Sequence, residues 1–437
     1  MGDPKEGALV RLRTSFVPAA FTIVLAVAAS GVAWSNPGDL DPTFSDDGVQ
    51  VTTFPGHYGI AFDVVVQPRG QIAAVGFMHT NQGIESDFAL VRYTRLGQLD
   101  GNFGNGGRVL TDFDGRYDVG HALASMPDGR IVAVGSSTDD IAVALYRRNG
   151  RLDPSFDGDG RLLLDLGSFG DARDVAVQDD GKIVIVGNNG GDFAVIRLEP
   201  DGTLDSSFGG GAGFVLTDVG GFGAFGYTAA LQPDGKIVAA GYTNAVDTSE
   251  DFAIARYLED GTLDPSFGSG GLVTTDFTGW EDRITGLAIQ TDGKIVAAGR
   301  ASVAPGGADQ KSDVGLVRYQ SDGNLDSSFG HSGKVKTDFG SYFDQAQGVG
   351  IQADGQIVVA SPFLGESGST AAVARYDING LLDASFGVGG IARTHARTSS
   401  DEAGGLALQP DGKIVVAGPA DTGPADFGFL ALRFLSV

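Results

Sequence analysis

The stretch QPDGKIVAAG, at residues 232–241, decides the fold because closely similar stretches recur along the chain. The other copies begin at residues 67, 126, 178, 290, 352 and 409. In the turn of this stretch, Pro fixes φ, Asp tolerates the next turn position and Gly accepts a positive φ. Such a turn between two strand-like runs predicts a β-hairpin. We therefore expect the same hairpin seven times.

A second phrase, LDxSF in its commonest form, accompanies the hairpins. Its copies begin at residues 40, 99, 152, 204, 263, 325 and 382, and successive copies are 52 to 62 residues apart. A period of this length indicates an array of supersecondary units. No Pro/Ser-rich linker or block of charge separates the copies. We therefore interpret residues 36–437 as one domain.

Each unit contains four short strand-like runs and no convincing helix. In one unit these runs are 226–232, 236–241, 251–257 and 271–277, and most are rich in β-branched or aromatic residues. A four-stranded sheet cannot cover its own two faces, whereas blades stacked in a ring bury each other's faces. The sequence therefore predicts an all-β protein, a seven-bladed β-propeller of four-stranded antiparallel blades. A β-helix, whose coils are usually much shorter, and a β-sandwich array are the alternatives.

The two ends of the repeat array predict how the ring closes. Residues 40–54 contain the linker phrase and the fourth strand of a unit, without the three strands that precede them elsewhere. Residues 427–437 form a third strand that no fourth strand follows. We expect VQVTTF, at residues 49–54, to pair beside that last strand and complete the seventh blade. Closure would also remove an exposed sheet edge.

Residues 1–35 have the pattern of an export signal peptide. A basic segment precedes the apolar run at 16–30, and small residues predict cleavage before Asn36. An uncleaved membrane anchor is the alternative. We expect no transmembrane segment after removal of the signal, and a final location outside the cell, at the cell surface or in the periplasm. The chain has no Cys, so disulfides do not stabilise it.

The composition narrows the class of partner. Hydrophobic residues make up 42% of the chain, which is enough for a packed core. The formal net charge of −25 repels phosphate backbones, so nucleic acid is not an expected partner. We expect a monomer that binds a glycan or a protein ligand.

The repeat resembles the delta-60 repeat family of bacterial, mostly exported proteins. The resemblance rests on LDxSFGxxG, VxTDF, QPDGKIVVAG and DFALxRY, and it extends over residues 40–437. It implies a β-propeller-like repeat fold. It implies no reaction, because the family carries no catalytic set that can be transferred to residues of this chain.

Arg and Asp recur at fixed places in the units. An Arg ends most third strands, and an Asp is the second residue of every linker phrase. Because Arg binds carboxylates bidentately, we expect these pairs to fix each blade to its linker rather than to bind a ligand. The arginines are Arg92, Arg197, Arg256, Arg318, Arg375 and Arg433, and the aspartates are Asp41, Asp100, Asp153, Asp205, Asp264, Asp326 and Asp383.

Two acidic turns resemble parts of calcium loops. Asp157 and Asp159 lie in DPSFDGDG, and Asp46 and Asp47 lie in SDDG. Calcium prefers six to eight oxygen ligands, but neither turn has the full spacing of an EF-hand. We expect solvated turns and no cofactor, with calcium at Asp157 and Asp159 as the alternative.

The loops on one face of the propeller vary between units. Those between the fourth strand of one unit and the first strand of the next should rim the central channel, and they carry aromatic and acidic residues. We predict a ligand-binding rim there that suits a sugar or a cationic peptide. Alternatively, the aromatics wedge between blades and the acids are only solvated. The candidate residues are Tyr58, Tyr117, Asp118, Trp280, Asp282, Tyr342 and Asp344, and Phe169 and Asp401 lie in corresponding loops.

The sequence favours an exported, non-enzymatic binding or scaffold module that presents this variable loop face to a glycan, peptide or protein. One alternative is a propeller glycan lyase or hydrolase that uses Asp118, Asp282 or Asp344 as acid or base. Another is a structural cell-surface protein. Fold alone does not decide between them, because propellers carry many functions.

Overall fold

The computed structural model describes most of the repeat array. The described residues are 36–54, 57–80, 85–114, 117–168, 170–244, 250–277, 280–303, 311–365, 368–394, 402–423 and 426–436. The predicted signal peptide, residues 1–35, lies outside the described residues, and so do Phe169 and Asp401.

The described residues form 28 β-strands and one short 3₁₀ helix, Gly209–Gly211. In chain order the strands are β1 (Val49–Thr52), β2 (His57–Val66), β3 (Ile72–Thr80), β4 (Ser86–Tyr93), β5 (Arg108–Thr111), β6 (Asp118–Ser125), β7 (Ile131–Ser137), β8 (Asp140–Tyr146), β9 (Arg161–Leu164), β10 (Gly170–Val177), β11 (Ile183–Asn189), β12 (Asp192–Leu198), β13 (Phe214–Thr217), β14 (Ala224–Leu231), β15 (Ile237–Asn244), β16 (Glu250–Tyr257), β17 (Leu272–Thr275), β18 (Asp282–Ile289), β19 (Ile295–Ser302), β20 (Ser312–Tyr319), β21 (Lys334–Thr337), β22 (Gly348–Ile351), β23 (Ile357–Gly365), β24 (Gly368–Tyr376), β25 (Ile391–Arg393), β26 (Gly405–Leu408), β27 (Ile414–Gly423) and β28 (Asp426–Phe434).

These strands pair into seven antiparallel sheets of four, which are the blades of the predicted propeller. Blades 1 to 6 each use four consecutive strands: β2–β5, β6–β9, β10–β13, β14–β17, β18–β21 and β22–β25. Blade 7 has the order β1-β28-β27-β26. No described segment forms a helix of the length and apolarity needed to span a membrane.

The hydrophobic core lies between neighbouring blades. The two middle strands of each blade are buried on both faces, as in β7 and β12. In one cluster, Val75 and Phe88 of blade 1 pack with Leu123 and Ile131 of blade 2. Each blade therefore depends on its neighbours for the burial that stabilises it.

The seventh blade closes the ring as predicted. β1 pairs antiparallel with β28, with Val49 opposite Leu432 and Thr52 opposite Phe429. The Gly38 amide donates a hydrogen bond of 2.8 Å to the carbonyl oxygen of Leu435. The two ends of the array are therefore joined by a sheet ladder.

The predicted Arg–Asp pairs are confirmed at the turn face, the end of the propeller that carries the Pro-Asp-Gly turns and the linker phrases. Nε of Arg256 lies 2.9 Å from Oδ2 of Asp264, and its guanidinium stacks 4.4 Å from the ring centre of Phe267. In blade 2, Leu145 stands where the other blades have Arg, and Asp153 pairs with Arg147 at 3.2 Å instead. The remaining pairs are Arg92–Asp100, Arg197–Asp205, Arg318–Asp326, Arg375–Asp383 and Arg433–Asp41.

A buried hydrogen bond also joins neighbouring blades. The hydroxyl of Tyr146, at the end of β8, lies 2.7 Å from Oγ1 of Thr111 in β5. Equivalent bonds join Tyr93 to Thr52, Tyr257 to Thr217, Tyr319 to Thr275 and Tyr376 to Thr337. These bonds explain why the third strand ends in Tyr in five blades and why the fourth strand of the preceding blade contains Thr.

Candidate functional site

A cavity of about 480 Å³ lies at the centre of the ring, and all seven blades contribute to its wall. The lining residues come mainly from the innermost strands and from the loops that lead into them. In β2 and β6, for example, they lie in the middle of the strand. A concave cavity with a few convergent polar groups is a typical ligand site.

Five of the innermost strands contain a β-bulge that places one extra side chain at this cavity. In each case the pairing with the second strand skips one residue, so that residue is left out of the ladder. The skipped residues are Phe62, His121, Arg173, Tyr227 and Thr285. All five line the cavity. The bulges therefore give the central site its most varied side chains.

One buried carboxylate fixes two of these bulge residues. Oδ1 of Asp171 lies 3.2 Å from Nε2 of His121, and its Oδ2 lies 2.5 Å from the Arg173 guanidinium. Burial raises the pKa of Asp171, but the contacts with His121 and Arg173 outweigh it and leave the pKa below its usual value. Arg173 also lies over the ring of Tyr227, 5.4 Å from its centre. His121, Arg173 and Tyr227 are thus held as a group.

Asp63 and Asp174 lie in the cavity wall, and their carboxyl groups are enclosed by the protein. The amide groups of Val64 and Leu123 donate hydrogen bonds to Asp63, at 2.8 and 3.1 Å. Burial, with the nearby negative charge of Asp174, raises the pKa of Asp63 to about 7. Burial also raises the pKa of Asp174 to about 6. Both groups therefore exchange a proton near neutral pH, which is useful in a binding or catalytic site.

Two of the predicted rim residues, Tyr58 and Tyr117, belong to one aromatic cluster. The ring of His79 contacts both of them, with ring centres 6.1 Å from Tyr58 and 5.2 Å from Tyr117. The Tyr117 hydroxyl lies 3.0 Å from Nε2 of His79. Tyr58 also packs against Phe427 of blade 7, with ring centres 4.9 Å apart. The cluster thus spans the junction of blade 7 with blades 1 and 2.

Trp280 and Tyr342, the other predicted rim aromatics, are exposed on loops between blades. Neither is among the residues that line the central cavity, and neither are Tyr58 and Tyr117. The structure therefore does not bring the four predicted aromatics into one group.

The three predicted rim acids, Asp118, Asp282 and Asp344, are fully buried at equivalent junctions between blades. Each accepts a hydrogen bond from the amide of a Phe that follows the preceding fourth strand; the Phe277 amide donates to Asp282 at 2.8 Å, for example. Burial raises the pKa of all three, and that of Asp282 to about 7. Each lies within a group of three carboxylates whose nearest oxygens are within 4.8 Å of one another.

The structure places the predicted metal ligands Asp157 and Asp159 on an exposed turn. Oδ2 of Asp159 forms an ion pair of 2.8 Å with Arg161. Among the described residues, the groups of three carboxylates lie elsewhere, at the blade junctions.

The bulge residues were missed because a strand pattern does not reveal register. His121 continues the apparent alternation of β6, and only its pairing with β7 shows that it is skipped. The sequence signal that could have revealed these residues is a comparison of the equivalent position in each innermost strand. These carry Phe, His, Arg, Tyr and Thr in blades 1 to 5, whereas the flanking positions are mostly small, aliphatic or acidic.

The comparisons with known families agree with a β-propeller repeat protein. Six segments match a family described as "Domain of unknown function (DUF5122) beta-propeller". No curated protein matches the chain. The matched segments are residues 127–156, 178–208, 232–267, 290–329, 352–386 and 409–430.

Solved structures resemble this chain in fold alone. Virginiamycin B lyase from Staphylococcus aureus is 11% identical, and the match covers 88% of this chain and 99% of the lyase, with a TM-score of 0.50. A protein of unknown function from Dyadobacter fermentans is 9% identical, and the match covers 89% of this chain and 100% of that one, with a TM-score of 0.46. At such identities no activity transfers to this protein.

Proposed function

We propose that the protein is an exported, non-enzymatic binding module that holds a carbohydrate in its central cavity. The observation that carries this proposal is the set of five bulges, which direct Phe62, His121, Arg173, Tyr227 and Thr285 to one cavity. Each of the five bulges interrupts the regular strand pairing of its blade. A shared ligand site is a physical reason to keep them.

The chemistry of the cavity suits a sugar. The ring of Tyr227 and that of Phe62 offer apolar faces on which a sugar ring can pack. Arg173, Asp174 and Gln347 offer donors and acceptors for hydroxyl groups. The rim aromatics Tyr58, Tyr117, Trp280 and Tyr342 would extend this contact to a longer oligosaccharide, and the buried acids Asp118, Asp282 and Asp344 would support the loops that carry them. A peptide ligand would use the same groups.

Two aromatic substitutions separate the central cavity from the rim. A glycan array with the purified protein identifies the ligand, and titration calorimetry measures its Kd. We expect Tyr227→Ala to weaken binding by about 1–3 kcal/mol, because an interface aromatic is lost. Trp280→Ala is the matched control at the rim, and it should affect only long oligosaccharides. Unchanged affinity in Tyr227→Ala would contradict the central site.

The raised pKa of Asp63 favours a glycan lyase or hydrolase as the second candidate function, because a general acid must hold its proton near neutral pH. Release of reducing ends from a panel of polysaccharides tests it. Under the binding proposal no sugar is released. Release that disappears in Asp63→Asn would favour the enzyme.

The export and family assignments are part of the same proposal. The delta-60 repeat resemblance and the signal-like residues 1–35 support them. Fractionation of cells that express the whole chain, with mass spectrometry of its N-terminus, tests the location. A protein that begins at Asn36 outside the cytoplasm is expected, and an intact N-terminus in the cytoplasm would contradict export.

A further inference from the structure

Another cavity, of about 490 Å³, lies at the turn face between blades 1 and 2. Its wall comes from the hairpin turn and the linker of each of these two blades, and it shares no lining residue with the central cavity. Three of its lining residues are arginines, namely Arg69, Arg92 and Arg148. A group of arginines around one cavity is unexpected in a chain whose formal net charge is −25. The cavity is therefore a candidate site for an anion.

The acidic groups of this cavity are already paired within the protein. Oδ2 of Asp100 lies 2.8 Å from the guanidinium of Arg92, and Oδ2 of Asp128 lies 2.8 Å from Nε of Arg130. The other two arginines of the cavity form no ion pair with any carboxylate in the part of the chain that the structure describes. Two positive charges in the cavity wall are therefore available to a ligand.

Arg69 replaces an Asp that the other six hairpin turns contain at this position. In those turns, Oδ1 of the Asp accepts a hydrogen bond of 2.9–3.3 Å from the amide two residues later. An Arg side chain has no acceptor atom, so it cannot make this bond. A turn that gives up a stabilising bond for an exposed positive charge indicates a role other than stability. The six aspartates are Asp128, Asp180, Asp234, Asp292, Asp354 and Asp411.

Asn102, in the same cavity wall, also departs from the repeat. The other linker phrases have Ser or Thr at this position, and the Ser266 hydroxyl, for example, donates to Asp264 at 2.7 Å. Asn102 gives the cavity an amide donor instead. Across the cavity, Nε of Arg148 donates to the carbonyl oxygen of Asp128, which holds the guanidinium over the turn of blade 2. This bond uses one of the five N–H groups of the guanidinium, so donors from both blades remain for a ligand.

We propose that this cavity binds the dianionic phosphate group of a small phosphorylated molecule. The charge of the ligand follows from the wall, because one dianion neutralises Arg69 and Arg148 together, whereas a carboxylate neutralises only one of them. A phosphate monoester carries about −1.5 to −2 charges at pH 7, and the guanidinium fork matches the spacing of its oxygens. A volume of about 490 Å³ is typical of pockets that hold a small organic molecule, so the phosphate is carried by such a molecule.

Titration calorimetry with glycerol 3-phosphate, inorganic phosphate, glycerol and acetate tests the proposal. The salt concentration should be about 0.15 M, so that charges outside the cavity are largely screened. We expect the wild type to bind glycerol 3-phosphate most tightly and inorganic phosphate more weakly. Glycerol lacks the charge and acetate carries only one, so both should bind much more weakly than glycerol 3-phosphate.

Four variants locate the binding. Arg69→Asp should weaken binding of glycerol 3-phosphate about tenfold or more, because it removes a charged donor and adds a repulsive charge. It restores the residue of the other six turns, so it should fold. Arg148→Gln should also weaken binding about tenfold. Arg151→Gln is the matched control, because Arg151 is exposed nearby but does not line the cavity, and Tyr227→Ala is the control in the central cavity. Both controls should keep the affinity of the wild type.

The outcomes that contradict the proposal are distinct. A wild type that binds neither phosphate compound would overturn the site, and so would an Arg69→Asp variant that is folded by circular dichroism and binds as tightly as the wild type. Loss of binding in Tyr227→Ala alone would place the phosphate in the central cavity. Acetate bound as tightly as phosphate would overturn the choice of a dianion. Equal affinities for inorganic phosphate and glycerol 3-phosphate would overturn the phosphorylated molecule and leave free phosphate as the ligand.

Discussion

The two ends of each blade place aspartate in opposite surroundings. At the turn face, the linker Asp contacts an Arg, as Asp326 does with Arg318 at 2.8 Å. At the other end, an equally buried Asp such as Asp282 lies among further carboxylates. The repeat therefore pairs a buried Asp with an Arg at one end and groups aspartates together at the other. The first arrangement stabilises the ionised carboxylate, and the second opposes its ionisation.

The pKa values show the same contrast. Burial opposes ionisation of Asp326, but hydrogen bonds from Ser328 and the charge of Arg318 outweigh it and lower its pKa to about 2. Burial of Asp282 outweighs the hydrogen bonds from the Phe277 and Ser302 amides, and the nearby charges of Asp276 and Asp251 add to the effect, so its pKa rises to about 7. One residue type thus has a pKa at both extremes within a single repeat.

Deletion of residues 40–54 should have the largest effect on stability. It removes Asp41, the partner of Arg433, together with β1, the fourth strand of blade 7. The deletion leaves Arg433 without Asp41 and exposes the edge of β28. Burial of Val49 alone contributes about 1.5–3 kcal/mol. We expect the cooperative thermal transition to be lost or to move far below that of the wild type, with aggregation through the open edge. An unchanged transition in differential scanning calorimetry would contradict closure by this strand.

Arg256→Ala should have the next largest effect. It leaves the buried carboxylate of Asp264 without its ion pair and removes the guanidinium from the ring of Phe267. Breaking a buried ion pair from one side costs about 3–5 kcal/mol, and urea unfolding measures the loss. Lys236→Ala is the control, because Lys236 pairs with the exposed Asp234 and such pairs contribute about 0–1 kcal/mol. Equal losses in the two variants would show that the Arg–Asp pair is not the stabilising element.

The smallest expected effect is a pH dependence of stability that arises from Asp63 in the wall of the central cavity. The pKa of Asp63 is about 7 in the folded protein, above its value of 3.8 in an unperturbed group. The protonated carboxyl therefore stabilises the fold fully below about pH 4, and this contribution is lost as the pH rises through 7. Asp63→Asn should reduce the fall in Tm between pH 5 and about pH 8, measured by thermal scans in matched buffers. The same fall in both proteins would exclude Asp63 as its source.

The architecture could be predicted from sequence because the hairpin phrase and the linker phrase recur in every unit and so show where each unit begins and ends. The Pro-Asp-Gly turn predicts each hairpin. The strand at 49–54 has no preceding strands of its own, and the three strands that it completes lie at the other end of the repeat array. The Arg–Asp pairs were predictable for a similar reason, since Arg256 and Asp264 are close in sequence and recur together.

The central site and the groups of aspartates could not be predicted in the same way, because both depend on register. A bulge at His121 is visible only once β6 is paired with β7. Asp87, Asp112 and Asp118 lie in three separate segments that belong to two blades, and only the folded sheets bring their carboxylates together. Sequence reasoning found Asp118, Asp282 and Asp344 as rim acids but did not predict their burial or their acidic neighbours.

The pairing of β1 with β28 has a consequence for the order in which the protein folds. During synthesis β1 leaves the ribosome long before its partner β28, so it must remain unpaired until β28 has emerged. Contacts between such distant segments form slowly. Until then β1 and the incomplete ring present unpaired strand edges. A chain that lacks β28 would keep those edges permanently, so the pairing of β28 with β1 is also the step that protects the protein from aggregation.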